Sequence, residues 1–352
     1  MTPHGFGHAA RAAAVMLAIR RRLRQVEFDI FTTVPQWFFS DSIGEQFSYH
    51  KFNSDIGLVQ VTPFSEDLTA TVSELDQAQK DAHRQVEQAA AILRGEDAQL
   101  VVCDIAPLGI ESAQAAGLPA ALVENFTWDF IYAGYTDEQP GFNPHIPRLK
   151  QVFALADTHI QTAPVCQFDP SAYRVEPVSR PPMKSSSSTR SRLGLSEDDR
   201  FILVTLGGIE EKYDARKALK QHSDCIFVLP GSTDQLRRDE NLILLPHHSD
   251  FYHPDLVQAS DAVIGKLGYS TVAEVYQAGL PFAYLPRPTF PETPSMAKFA
   301  HREMSALELT YPDFLAGRLG DLPERLLAIP RRETPGINGA DQIAAILLEK
   351  YA

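Results

Sequence analysis

The sequence predicts an α/β protein built as two facing domains with a cleft between them. Three observations carry this reading. Short, wholly apolar runs alternate with helical patterns along the chain, the pattern expected of parallel sheets covered on both faces. The alternation comes in two series, separated by Glu176 to Arg192, where Pro177, Pro181, Pro182 and the run Ser185 to Ser188 read as a linker. Within the second series a strand, a glycine turn and a helix follow one another between Asp261 and Pro281. The expected division is an N-terminal domain over 1–175, a linker over 176–197, a C-terminal domain over 198–335, and a last helix over 336–352 that packs back on the first domain.

The chain opens on Thr2-Pro3-His4-Gly5-Phe6-Gly7-His8 and runs into an Ala-rich helix ending near Leu23. A glycine-bearing turn into a helix normally follows a strand. None precedes this one, so either the sheet starts one strand late or a central strand belongs before Thr2, in which case its loss lowers stability. Arg20, Arg21, Arg22 and Arg24 crowd the end of the helix, where the dipole favours cations; an anionic membrane surface is the other reading. Val26 to Thr33 reads as a strand, Pro35 to Ser42 as a short helix, Leu58 to Val61 as a strand and Thr71 to Leu93 as a long polar-rich helix.

Leu100 to Cys103 is an all-apolar strand ending at Asp104, followed by a helix near Ile110 to Ala116 and the strand Ala120 to Val123. Ligands on such sheets bind outside the carboxyl ends of the strands, where Asp104 and the segment Glu124 to Tyr132 stand. His159 to Thr162 is the last strand before the linker. The second series reads as strands at Phe201 to Leu206, Cys225 to Leu229, Leu242 to Leu245, Ala262 to Ile264 and Phe282 to Leu285, with a final helix at Ala340 to Tyr351.

At 352 residues the chain is too long for one ordinary core. Its 44% hydrophobic and 22% charged residues fit a soluble globular protein. No run approaches the roughly 20 apolar residues of a membrane span, and no secretory signal follows Met1, so a cytoplasmic protein without a transmembrane segment is expected. The formal charge of −13 argues against nucleic acid as a partner. Cys103, Cys166 and Cys225 are odd in number and far apart, so they read as buried thiols rather than a disulfide framework or a zinc site.

The chemistry concentrates at the turn after Ala262 to Ile264. Gly265 and Gly268 let a phosphate approach the backbone, and Ser270 or Thr271 can cap the helix that follows. The free N–H groups and positive dipole end of that helix favour an anion, and Glu274, one turn inside, can accept hydrogen bonds from a ribose diol. The pattern suggests a diphosphate with a sugar beside it. Its alternative is structural, since strand-glycine-helix turns occur throughout α/β proteins and most bind nothing.

Three separated pieces carry a family resemblance: Gly5-Phe6-Gly7-His8-Ala9-Ala10-Arg11, Leu206-Gly207-Gly208, and Gly265 to Glu274 with Gly279-Leu280-Pro281. They resemble the GT-B glycosyltransferases, whose fold is two facing Rossmann-like domains. The His4 to His8 turn, the run Asn125 to Tyr132 and Gly265-Lys266-Leu267-Gly268-Tyr269 resemble in particular the MurG-like group and the glycosyltransferase-like N-terminal region of L-arabinokinases.

The resemblance implies a nucleotide-diphosphate sugar as co-substrate in the C-terminal domain, a UDP-sugar favoured, and a sugar, lipid or small-molecule acceptor in the N-terminal one. No separate cofactor and no metal are expected, and no Asp-X-Asp motif stands beside the diphosphate site. By position, Gly268, Tyr269, Ser270 and Thr271 hold the diphosphate, Glu274 the ribose, His247 and His248 the base, and Gly207 and Gly208 line the phosphate side. Lys266 can neutralise a phosphate. Glu292, in Pro291-Glu292-Thr293-Pro294, falls where members contact the donor sugar, although the usual acidic-plus-amide pair is absent.

His8 stands where family members place the general base, with His4 as its rival; an imidazole takes a proton near neutral pH. In plant small-molecule members an acidic residue orients this histidine. That position falls near Leu108 and Gly109 here, so the dyad is expected to be missing, with Asp104 as the possible substitute. Gly7, Arg11 and Asn125 are expected on the acceptor side. Trp128 and Asp129 are either an acceptor floor or, for Trp128, part of the core. The expected activity is inverting, metal-independent sugar transfer; hydrolysis of the nucleotide-sugar and non-catalytic nucleotide-sugar binding are the alternatives.

Overall fold

The computed structural model describes residues 1–62, 64–206 and 216–352. The chain divides into two compact units, one of Met1–Val178 with Phe290–Ser295 and Ile337–Ala352, the other of Ser179–Thr289 with Met296–Gly336.

In chain order the first unit holds α1 (Gly7–Arg22), β1 (Asp29–Thr32), α2 (Gln36–Ile43), β2 (Ser48–Lys51), β3 (Val59–Thr62), β4 (Ser65–Asp67), α3 (Leu68–Gly95), β5 (Val101–Asp104), α4 (Pro107–Ala116), β6 (Ala120–Glu124), α5 (Trp128–Ala133), α6 (His145–Phe153), β7 (Thr158–Thr162) and β8 (Tyr173–Val175). β5, β6, β7 and β8 form a four-stranded parallel sheet in that order, and β1 pairs parallel with β2. Met1 and Thr2 touch both sheets: the amino terminus donates to Phe31 O at 3.2 Å and Thr2 N to Asp104 O at 3.3 Å. These bonds bring the start of α1 to the carboxyl end of β5.

The apolar strand runs expected from the sequence are buried for the reason given there. All five residues of β6 are sealed from solvent, and the aromatic side chains of Trp128, Tyr132 and Phe142 stack in series behind them. Each fully buried large apolar side chain contributes roughly 1.5–3 kcal/mol. α3 starts at Asp67, whose side chain accepts from Ala70 N at 2.8 Å, a cap of the expected kind.

The second unit holds α7 (Ser186–Arg192), β9 (Phe201–Thr205), α8 (Arg216–Leu219), β10 (Ile226–Leu229), β11 (Arg237–Asp239), β12 (Leu242–Leu244), α9 (His253–Ala259), β13 (Ala262–Lys266), α10 (Tyr269–Ala278), β14 (Phe282–Leu285), α11 (Thr293–Glu303), β15 (Ala306–Glu308), α12 (Tyr311–Leu315) and α13 (Leu322–Ala328). The first three residues of α11 count with the first unit. The sheet order is β11-β12-β10-β9-β13-β14-β15, parallel throughout except for β11 at one edge. Every residue of β9 and β14 is buried, so neither alternates, as a strand covered on both faces requires.

The serine run expected in the linker is helical. Ser185 caps α7, its hydroxyl accepting from Ser188 N at 3.2 Å. The last helix, α14 (Gly339–Tyr351), lies in the first unit against α1. Arg21 and Arg22 each reach Asp341 at 2.9 Å, and Arg20 donates to the carbonyls of Ile43 and Gln46, so three of the four clustered arginines have intramolecular partners. Among the described residues, no helix is long and apolar enough to cross a membrane.

Candidate functional site

Each unit carries a polar cluster at the carboxyl ends of its strands. In the first unit the cluster begins on α1, where His8 and Arg11, three residues apart, share a helix face. β5 delivers Asp104 as its last residue, and Asn125 directly follows β6. His8 Nδ1 lies 2.7 Å from Asp104 Oδ1. Arg11 grips the same carboxylate with both ends of its fork, Nε to Oδ2 at 2.7 Å and Nη2 to Oδ1 at 2.8 Å. Its Nη1 donates to Asn125 Oδ1 at 2.7 Å, and Asn125 Nδ2 donates to Glu292 Oε1 at 2.7 Å. The amide orientation follows from its partners, a guanidinium needing the oxygen and a carboxylate needing the nitrogen.

These groups are sealed from water: Arg11 is 1% exposed and Asp104 3%. Burial opposes the charge on Asp104, but the Arg11 guanidinium and the hydrogen bonds from Arg11 and His8 outweigh it and hold the carboxyl below its ordinary range. The carboxylate is therefore ionised and accepts the Nδ1 proton of His8. Arg11 Nη2 also approaches Nδ1 at 3.3 Å, which sets two donors side by side and makes no bond in this tautomer. In the neutral ring a proton on Nδ1 leaves Nε2 as the acceptor nitrogen, on a side chain that keeps 11% of its surface exposed.

The dyad expected to be missing is present in this form. Asp104 is itself the partner, and the positions near Leu108 are not needed for it. Glu292 departs from expectation. It belongs to the first unit, not to the second domain where the sequence put it, is 5% exposed and bonds to Asn125, so it joins the His8 cluster. Its segment packs on α5 because position 134 is glycine, where a Cβ would come 2.5 Å from Pro291 Cγ. Trp128 is corrected from acceptor floor to core. It is 0% exposed, its ring stacks on Tyr132, and its indole N–H donates to Asp55. Asp129 is half-buried in the first turn of α5, and Gly7 is the first residue of α1. His4 packs edge-on against Trp128, within the wall rather than beside Asp104.

In the second unit β13 leads into α10, and Gly268 is the N-cap with φ −121° and ψ 149°. No side chain caps this helix, so neither Ser270 nor Thr271 does; both lie inside its first turn, Thr271 buried and Ser270 half-buried. Gly265 is required by packing: a Cβ there would come 2.8 Å from the Thr205 carbonyl oxygen on the neighbouring strand. Tyr269 is 8% exposed, Lys266 is half-buried, and His247 and His248 are exposed after β12. Gly207 and Gly208 lie outside the described residues.

Glu274 is 4% exposed and its two oxygens are engaged within the unit. Oε1 takes Arg180 Nε and Nη2, each at 3.1 Å, and Oε2 takes His253 Nδ1 at 2.8 Å. Burial opposes the charge, but Arg180 and the His253 hydrogen bond hold the carboxyl below its ordinary value. His253 Nε2 in turn lies 3.3 Å from Thr205 Oγ1 at the end of β9. The Arg180 guanidinium also covers the ring of Tyr252, 5.0 Å from its centroid.

No protein-family model matches the chain. L-arabinokinase of Arabidopsis thaliana is 28% identical over 359 residues, which take in 99% of this chain and 34% of that protein. The chain thus spans about a third of that relative's length. Among solved structures, the calicheamicin glycosyltransferase CalG4 superposes with a TM-score of 0.59 at 14% identity, covering 98% of this chain and 91% of that one. MurG of Acinetobacter baumannii gives 0.53 at 16% identity, over 97% and 96%. The chain has the GT-B fold.

Within this GT-B chain the expected residues fall into two groups. His8, Arg11, Asp104 and Asn125 come together, joined by Glu292; Gly268, Tyr269, Ser270, Thr271 and Glu274 line up on α10. Sequence reasoning missed Arg180, which lay in the supposed linker, and His253. The second was signalled only by Tyr252-His253-Pro254-Asp255, a proline at the start of a helix.

Proposed function

We propose that the protein is a glycosyltransferase that moves a sugar from a nucleotide-diphosphate donor to an acceptor hydroxyl with inversion at the anomeric carbon. The observation that supports it best is the 2.7 Å contact between His8 and an ionised Asp104 in a chain of GT-B fold. In this reading Nε2 of His8 takes the acceptor O–H proton as the oxygen attacks the anomeric carbon. The bond from that carbon to the diphosphate oxygen breaks, and the electron pair leaves with the nucleoside diphosphate. Asp104 then faces the imidazolium it helped to form, a pairing that makes the proton transfer more favourable.

On the second unit, the diphosphate is read onto the uncapped N-terminus of α10 and Lys266, which supply positive charge for the leaving group without a metal. UDP-sugars are the first donors to try. The assay is release of nucleoside diphosphate with and without acceptor glycosides and lipids. Release that needs an acceptor is the expected result; equal release in its absence would replace transfer by hydrolysis, and none with any donor would leave only binding.

A further inference from the structure

The first unit holds a cavity of about 70 Å³, open to solvent among α3, α4, α6 and the loop that follows β2. That is about twice one water's share of liquid volume, roughly 30 Å³. Leu75, Leu108 and Leu149 give it apolar walls, all three buried. The charged groups among them are Asp55, Glu111, His145 and Arg148. Arg148 Nη2 lies 2.9 Å from Glu111 Oε1, and His145 Nε2 lies 3.1 Å from Asp76 Oδ1, so both basic side chains have an anion of their own. Asp55 has no such partner. It is 8% exposed, and its donors are neutral groups, Ile56 N on Oδ1 at 2.8 Å and the Trp128 indole on Oδ2. Among the described residues no Lys, Arg or His pairs with it, and burial pushes its carboxyl up to about 7 against the hydrogen bonds that favour the anion.

Buried carboxylates are ordinarily paired, and one left unpaired on the wall of an open cavity can be paired by a ligand. We propose that this cavity binds a compact primary ammonium group, its charge held by Asp55 and its short carbon stem lying on the leucines. The site is separate from the sugar-transfer reading, since none of the residues that line it belongs to the His8 cluster. Three carboxylates, Asp55, Glu111 and Asp76, against one arginine and one histidine make an anion the wrong occupant. A metal ion is not indicated either, because the described residues contain no metal-holding group of His, Cys, Asp and Glu.

Binding is tied to pH through Asp55. The other titratable groups around it are Cys103 on β5 and Tyr132 on α5, both kept protonated by burial, and the Met1 ammonium, which donates to Phe31 O. His4 packs against Gly57 and Trp128. The carboxyl must lose its proton to pair with a cation, so affinity falls as pH drops through about 7 and levels off above it.

The test is calorimetry on the full chain with ethylamine and ethanolamine, against ethanol and ethylene glycol as uncharged counterparts. Both amines should bind the wild type about tenfold or more tightly than the alcohols. Their affinity should rise up to about tenfold from pH 6 to pH 8. Asp55→Asn keeps an acceptor oxygen without the charge and should lose the preference for amines. Ala78→Leu fills the cavity from α3, leaves Asp55 in place and should abolish amine binding with an unchanged thermal melt, which decides the matter even if Asp55→Asn does not fold. Equal binding of amines and alcohols, an affinity level from pH 6 to pH 8, amine binding that survives Ala78→Leu, or no amine binding by folded wild type would each overturn the assignment.

Discussion

His8→Gln is expected to lower nucleotide-sugar turnover by about 10²–10⁴-fold, the contribution of a positioned general base, while leaving nucleoside diphosphate affinity within about threefold. Glutamine fills a similar volume and can still donate to Asp104, but its carbonyl oxygen cannot accept a proton from a hydroxyl. The expected loss lies in kcat, because the proton is transferred only in the transition state. Unchanged affinity follows because the proposed nucleotide contacts belong to the second unit and His8 to the first. Turnover within about threefold of wild type would remove His8 as the base, and a matching collapse of nucleotide affinity would show that the residue acts through binding.

Asp104→Asn should destabilise the protein by about 3–5 kcal/mol, because it leaves the Arg11 guanidinium, 1% exposed, without its anion. Denaturant unfolding measures this directly. Arg11→Met in the same chain removes the stranded cation and should recover part of the loss, whereas Arg11→Met alone strands the carboxylate and should be costly too. The pH dependence has a definite sign. The folded carboxyl is held below its ordinary value, so its stabilisation is complete above about pH 4 and is lost as pH falls from there toward the folded pKa. The gap between wild type and Asp104→Asn should therefore narrow on acidification. A gap that is constant from pH 6 to pH 3 would mean that the charge on Asp104 contributes nothing.

Much of the fold was legible because buried parallel strands leave continuous apolar runs, as at Phe201 to Thr205 and Phe282 to Leu285. The turn from β13 into α10 was legible for the same reason, although its details were not. Gly265 answers to a neighbouring strand's carbonyl, which only the register of β13 on β9 defines. The candidate base and the carboxylate could be named from residue type, but their pairing could not. His8 and Asp104 are 96 residues apart, and what joins them is the close passage of the first residues beside β5.

Glu292 shows the opposite failure. Its place in the sequence suggested the second domain, yet the chain crosses back to the first unit for Phe290–Ser295, and a hydrogen bond to Asn125 fixes it there. Trp128 was ambiguous because an aromatic side chain serves a sugar platform and a core equally well; zero exposure decides for the core. Glu274 was named from a helix pattern that carried no information about its partners Arg180 and His253, both distant in sequence.

The measurement that bears most directly on the central claim is calorimetric titration of the folded protein with UDP, GDP, ADP and dTDP. A nucleotide-sugar enzyme should bind at least one of them with a micromolar Kd, about −8 kcal/mol, and prefer it over the others. Absence of binding to all four, by protein shown to be folded, would contradict the account and leave the GT-B fold without a nucleotide function.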